Sequence, residues 1–401
     1  MALLPVKKAQ AKLLAMIRPL APETVTLADA DGRILVQDVS AKLTQPPFDA
    51  SAMDGFAVRA ADVETVPADL KVVEEIPAGH IATREIGPGE AARLFTGSPV
   101  PQGADTVIMQ EDTTYPEDYS SLTINEAPRP GQHIRPRGGD FTTGETLLKA
   151  GTRLLPRHIT LAAAMNHDVL QVSHRPRVGV ISSGDELLPA GTEPGPGQII
   201  ASNSIGLCQS LKQWGAHPTD FGIVKDRLAD LTSAIARASE LDLIVTIGGA
   251  SVGSHDHVID AIKGAGGTIE LWRVAMKPGK PVILGEVEGT PLIGLPGNPV
   301  SAFVAAEIFL RPAVNALSSA KPFAKPFLVR LATDLPATTT RETYTRATLA
   351  PGEDGVPVAT PLRKQDSSML SALSQADVLL KRPLDSPAAA AGDLVEAFSF
   401  D

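Results

Sequence analysis

Asp242-Leu-Ile-Val-Thr-Ile-Gly-Gly-Ala-Ser-Val-Gly-Ser-His-Asp256 is the stretch on which the reading of this chain turns. Residues 242–247 are apolar and β-branched, a run of the right length for one buried parallel strand. A turn of glycines and small hydroxyl residues follows, and then Val258, Ile259 and Ile262 recur on one helical face. Strand, glycine-rich turn and helix start together make a natural anion site. Glycine permits both the dihedrals and the close approach that let backbone N–H groups converge on an oxyanion. Ser251 and the amides around Gly248, Gly249 and Gly253 are the expected phosphate contacts.

Further along, the design recurs at Pro291-Leu-Ile-Gly-Leu-Pro-Gly-Asn-Pro-Val-Ser301. Asn298 is expected to cap a helix there, with Pro299 at its first position, and Pro296, Gly297 and Ser301 complete a second cradle. Between the two lies Met276-Lys-Pro-Gly-Lys-Pro281, in which prolines stiffen Lys277 and Lys280. An ordinary surface turn is the plain alternative, which so rigid a pattern makes less natural. Two anion cradles and a fixed pair of cations predict a ligand with several negative charges.

The surrounding segment, 177–318, has the βαβ grammar of a three-layer α/β domain. Strands are expected at 178–182, 219–224 and 242–247, with a helix from Ser204 capped by Asn203. Ligands bind such sheets at the carboxyl ends of the strands. That rule selects Ser183, Gly184, Asp185, Glu186, Asp226, Ser251 and Asp256. Before this domain, residues 1–45 and 141–176 read as a mixed domain that opens with an amphipathic helix over 5–20. Residues 46–140 read as a small inserted β lobe of short strands between Pro/Gly turns, and 319–401 as a C-terminal β domain. The predicted fold is thus multidomain, α/β plus β.

The inserted lobe begins with Gln45-Pro-Pro-Phe-Asp-Ala-Ser-Ala-Met-Asp-Gly-Phe-Ala-Val58, where Asp49, Ser51 and Asp54 alternate with small residues. A capped turn with carboxylates on local N–H groups accounts for that pattern as readily as a ligand site does. Two other loops carry candidates: Thr96 in Phe95–Asp105, and Arg135, Arg137 and Asp140 in Gly131–Asp140. Arginine suits forked contact with phosphate, and an exposed salt-bridged turn is the alternative.

Composition narrows the classes. A net charge of −10 argues against nucleic acid, and aromatic residues at 4% disfavour a base-stacking platform. One cysteine, Cys208, excludes an internal disulfide and a cysteine-cluster metal site; it is expected to be buried on a helix. Lys7, Lys8 and Lys12 interrupt the only apolar run near the start, and no segment reads as a membrane span, so a cytoplasmic protein is expected.

GGASVGSHD, MKPGKP and LPGNPVSA, in this order and spacing, resemble the molybdenum insertases, the molybdopterin molybdenumtransferase family that includes the C-terminal domain of gephyrin. PPFDASAMDGFAV and the two arginine- and threonine-bearing loops are similar to further motifs of that family. The C-terminal domain departs from it. Gln365-Asp-Ser-Ser-Met fills the place of the usual Gly-Ser-His-type turn, Ala376-Asp377 stands for the usual Asn-Gly, and no site residue is expected there. The resemblance implies insertion of molybdate into adenylylated molybdopterin, with cleavage of the pyrophosphate bond and release of AMP. Asp54, Glu186, Asp226, Asp256, Lys277 and Lys280 would be the catalytic set, with Asp226 and Asp256 on Mg²⁺. It also implies a homodimer whose site is shared between subunits, with molybdopterin adenylyltransferase and molybdoenzymes as possible partners. ATP-dependent adenylylation of molybdopterin and a non-catalytic binding scaffold are the alternatives.

Overall fold

Leu243–Ile247 is buried at every position, as a strand covered on both faces must be. In this computed structural model, which describes residues 3–249 and 257–400, it is the third strand of the α/β domain. The strands are β1 (Arg177–Ser183), β2 (His217–Val224), β3 (Leu243–Ile247), β4 (Thr268–Arg273), β5 (Pro281–Val287) and β6 (Thr290–Leu295). Their order in the sheet is β2-β1-β3-β6-β5-β4. The pairings β2–β1, β1–β3 and β3–β6 are parallel, while β5 runs antiparallel to both β6 and β4.

Side chains of period two divide between the faces. Val178, Val180, Leu243, Val245, Ile293 and Leu295 pack with helix α1 (Asn203–Gln213) and helix α4 (Pro299–Ala305). Ile181, Ile244 and Leu292 pack on the other face with helix α2 (Leu228–Ala238) and helix α3 (His257–Gly264). Cys208 is buried on α1, where burial pushes its thiol up to about 11. The helix continues beyond α4 to Leu317. Among the described residues it alone is long and apolar enough to cross a membrane, and 72% of its most apolar window is buried inside the protein.

Two cap expectations are corrected. α1 starts at Asn203 itself, after Ser202, and the Asn203 side chain donates instead to the Gly297 carbonyl at 2.7 Å. Asn298 does stand at the N-cap of α4, but its side chain makes no cap hydrogen bond and reaches Ser367 Oγ at 3.1 Å. In both cases the side-chain amide N–H₂ donates to an acceptor far along the chain. The N-terminal helix, Val6–Met16, buries Val6, Ala9 and Leu13 in the α/β core rather than against the first domain. Leu14 is half-buried.

Pro22–Thr26 pairs with Val169–Ser173, and helix Pro156–Ala164 completes that small mixed unit. The inserted lobe is a six-stranded sheet in the order 106–109, 55–58, 90–94, 68–76, 121–124, 113–114. In the C-terminal domain, Glu342–Ala350 pairs with both Val358–Pro361 and Val378–Arg382, which closes the strands into a barrel. Met276-Lys277 joins that domain as an extra strand beside Glu342 and Thr343.

Gly55, next to Asp54, stands where a Cβ would lie 1.9 Å from the Ile108 carbonyl oxygen of the neighbouring strand. Gly55→Ala is therefore expected to force Gly55–Val58 away from Thr106–Met109 and to cost about 1–3 kcal/mol in a denaturant melt. An unchanged midpoint would mean that the two strands do not approach so closely.

Candidate functional site

Three neighbouring parallel strands, β1, β3 and β6, end side by side, and each runs into a turn poor in side chains. Ser183-Gly184-Asp185-Glu186 follows β1, Gly248-Gly249 follows β3, and Pro296-Gly297-Asn298 follows β6. The turns touch through their backbones. Gly248 N–H donates to the Leu295 carbonyl at 3.1 Å, and a Cβ on Gly248 would lie 2.8 Å from the Ser183 carbonyl oxygen. Gly248 has φ +88°, so its conformation and its surroundings both call for glycine.

Together they floor a cleft of about 720 Å³, whose walls include Ser183, Gly184, Glu186, Asp226, Gly248, Gly249, Pro296, Gly297, Asn298 and Ser301. These are the residues selected from the sequence, now in one place. Asp185 acts beside them: its Oδ1 accepts the Asp226 backbone N–H at 3.2 Å, tying the turn after β1 to the one after β2. The lysine turn lies alongside. Lys277 and Lys280 are exposed; Pro281, next in the chain, lines the cleft, and a Cβ on Gly279 would lie 3.4 Å from the Ser301 carbonyl oxygen. Ser251, Gly253 and Asp256 lie outside the described residues.

Glu186 and Asp226 are the carboxylates of the cleft wall, and among the described residues no group of three or more His, Cys, Asp or Glu could hold a metal ion. A sparse carboxylate set of this kind fits Mg²⁺, which is bound by one or two carboxylates together with phosphate oxygens and water.

The inserted lobe forms a second cluster, none of whose candidates lines that cleft. Ala50-Ser51 pairs antiparallel with Ile134-Arg135, and Asp49 Oδ1 accepts the Arg137 backbone N–H at 2.7 Å. Asp54 Oδ1 accepts both the Thr96 N–H at 2.7 Å and the Thr96 hydroxyl at 2.9 Å. These bonds, with the charge of Arg93 adding to them, hold the Asp54 carboxyl below the usual carboxylate range. Asp49, Asp54, Thr96, Arg135, Arg137 and Asp140 are all exposed. Ser51 is buried, and its hydroxyl donates to the Met53 carbonyl at 2.6 Å, so it serves the turn. The capped turn weighed from the sequence is present in these bonds.

The C-terminal domain, expected to bring nothing, contributes Ser368 and Leu370 to the cleft wall. The signal was present in Asp366-Ser-Ser, a self-capping turn: Asp366 Oδ1 accepts the Ser368 N–H at 2.9 Å and its hydroxyl at 2.6 Å.

Comparison with known proteins agrees along the whole chain. Residues 4–166 match the MoeA N-terminal region (domain I and II), 179–316 a probable molybdopterin binding domain, and 329–400 the MoeA C-terminal region (domain IV). A molybdopterin molybdenumtransferase of Nostoc is 36% identical over 332 residues, 80% of this chain and 76% of the relative. The chain belongs to the molybdopterin molybdenumtransferase family. The family member of that name from Bacillus subtilis is 31% identical over 369 residues, 90% of this chain and 86% of its own. A solved molybdopterin biosynthesis moeA protein from Pyrococcus horikoshii superposes with a TM-score of 0.85 at 28% identity, covering 98% of this chain and 99% of that one. The family is one of transferases, and membership does not favour the adenylyltransferase alternative.

Thr96→Val removes the hydroxyl donor to Asp54 and leaves the backbone one. The Asp54 titration, followed by carboxyl NMR, is expected to move up toward the ordinary range. The native depression makes Asp54 favour the folded state above the unfolded carboxylate pKa, a contribution lost as pH falls through the lowered native value. The variant is expected to lose it at a higher pH; an unmoved titration would contradict the role given to Thr96.

Proposed function

We propose that the protein works in molybdenum cofactor biosynthesis, inserting molybdate into adenylylated molybdopterin while the pyrophosphate bond is cleaved and AMP and the finished cofactor are released. The observation that carries the reading is the cleft itself, where backbone turns from three adjacent strand ends meet two carboxylates beside a lysine turn. Backbone N–H groups of the turns after β1, β3 and β6, those of Gly184, Gly249 and Gly297 among them, bind and orient the phosphates. Lys277 and Lys280 offset the charge of the polyanion and of incoming molybdate, in a chain whose net charge of −10 would otherwise repel both. Glu186 and Asp226, with Asp256, would hold Mg²⁺, which when bound supplies charge stabilisation on the phosphates. Positioning and electrostatics, more than covalent chemistry, carry the step.

The exposed Asp49–Asp54 cluster needs a ligand surface that its own cleft residues do not give it. In the proposal that surface comes from a second copy. A two-fold homodimer sets the lobe of one subunit against the cleft of the other and makes two equivalent composite sites. Such an enzyme would work in the cytoplasm, receiving substrate from a molybdopterin adenylyltransferase and passing cofactor to molybdoenzymes.

The direct test is incubation of purified protein with adenylylated molybdopterin and molybdate, with AMP measured over time. AMP release that requires molybdate is expected, and Asp226→Asn should lower it by about a hundredfold or more while the protein stays folded. No AMP from the parent protein would overturn the reading; parent-like turnover in Asp226→Asn would remove that carboxylate from the reaction.

Salt separates the lysines' role. Rising ionic strength is expected to weaken substrate binding and rate, and changing Lys277 and Lys280 together to Gln should flatten that dependence. An unchanged salt profile in the double variant would make the turn structural only.

A further inference from the structure

We propose that a second anion site, separate from the cleft, lies where the first domain, the α/β domain and the segment leading to the C-terminal domain meet, and that it takes a small organic phosphate.

The pocket holds about 550 Å³ and shares no lining residue with the cleft. Lys149 and Arg153 come to it from the first domain, and Trp214 from the end of α1. Arg311 comes from the helix that continues α4, and Lys321 and Phe323 from the segment beyond it. Lys149, Arg153, Arg311 and Lys321 are cations, and among the described residues no carboxylate lines the pocket. In a chain of net charge −10 such a gathering is a local feature, as the cleft's lysine turn is.

Two of the cations are fixed in place. Arg153 Nη1 donates to the Gly32 carbonyl at 3.0 Å and Nη2 to the Trp214 carbonyl at 3.1 Å. Both acceptors are neutral, so the guanidinium is oriented without its charge being neutralised. The space behind it is tight, since a Cβ on Gly215 would lie 3.1 Å from Nη1. Arg311 Nη1 donates to Glu307 at 3.0 Å, and its guanidinium lies 5.8 Å from the centre of the Trp214 ring. Burial, and then the charges of Arg311 and Arg175, hold Arg153 below the usual arginine range. Like charges gathered this closely repel one another, and an anion between them offsets that repulsion.

Lys149 and Lys321 are exposed and add mobile ammonium groups; Lys149 also reaches Asp38 at 2.9 Å. Held guanidinium groups beside free-swinging ammonium groups suit phosphate oxygens. Inorganic phosphate alone would fill a small part of the volume. Phe323, 47% exposed, borders the same pocket with Ala320 and Ala324 and offers an apolar surface to the rest of the ligand. A phosphate ester with an apolar or aromatic group meets both halves of this wall.

The test uses the full chain and a reporter within the pocket. The protein has two tryptophans, so an isotope-labelled sample gives two indole N–H signals in NMR, assigned with Trp272→Phe or Trp214→Phe. Phenyl phosphate, inorganic phosphate and phenol are titrated in turn. Phenyl phosphate should move the Trp214 signal saturably and bind about tenfold more tightly than inorganic phosphate, and phenol should leave the signal in place. Changing Lys149 and Lys321 together to Gln touches two exposed side chains and should weaken phenyl phosphate by about tenfold. Changing Lys277 and Lys280 to Gln should leave that affinity at the parent value, which separates this pocket from the cleft. An unmoved Trp214 signal, parent affinity in the Lys149 and Lys321 variant, or a loss in the Lys277 and Lys280 variant would overturn the site. Inorganic phosphate or phenol binding as tightly as phenyl phosphate would overturn the ligand class.

Discussion

The close approach of three backbone turns is what the rest of this molecule depends on. The turns after β1, β3 and β6 line one cleft, and their backbones meet closely enough that Gly248 N–H bonds the Leu295 carbonyl. At Gly248 even a methyl group would meet the Ser183 carbonyl oxygen. Parallel pairing of β1, β3 and β6 puts those turns at one edge, and the apolar side chains on both faces keep the strands in that order. Everything charged in the site is then added locally, which is how a chain of net charge −10 can receive an anion.

Much of this was legible in the sequence, for a physical reason. A buried parallel strand is a continuous apolar run, and a backbone anion site needs glycine, so 242–249 and 291–298 carry their structure in residue type alone. Capping was less legible. Asn203 and Asn298 have the chemistry of local caps, and their actual partners, the Gly297 carbonyl and Ser367 Oγ, lie 94 and 69 residues away. In the C-terminal domain the self-capping Asp366-Ser-Ser turn was legible and its place at the cleft was not, for the same cause. Gln365-Asp-Ser-Ser reads as an exposed turn until Arg346, buried on another strand, is seen to hold it. Local pattern reveals elements whose partners are near; it is silent on polar bonds that bridge domains.

In the proposed reading the lobe and the cleft divide the chemistry. In the lobe, Asp49 and Asp54 are presented by short pairings and by donors from Thr96 and Arg137, on an exposed surface. In the cleft, backbone turns and two carboxylates lie beside the lysine turn. Neither half has what the other supplies. A chain arranged as lobes in series gives them to one ligand most simply by pairing with a second copy.

Mixed-subunit complementation tests that central claim most directly. Asp54→Asn and Asp226→Asn chains, each inactive alone, are unfolded and refolded together. Sharing across a two-fold interface puts both lesions into one site of each mixed dimer and leaves the other site intact. About half of randomly formed dimers are mixed, so about a quarter of all sites should release AMP. If lobe and cleft of one chain serve the same site, every site carries a lesion, and a refolded mixture with no activity would contradict the account.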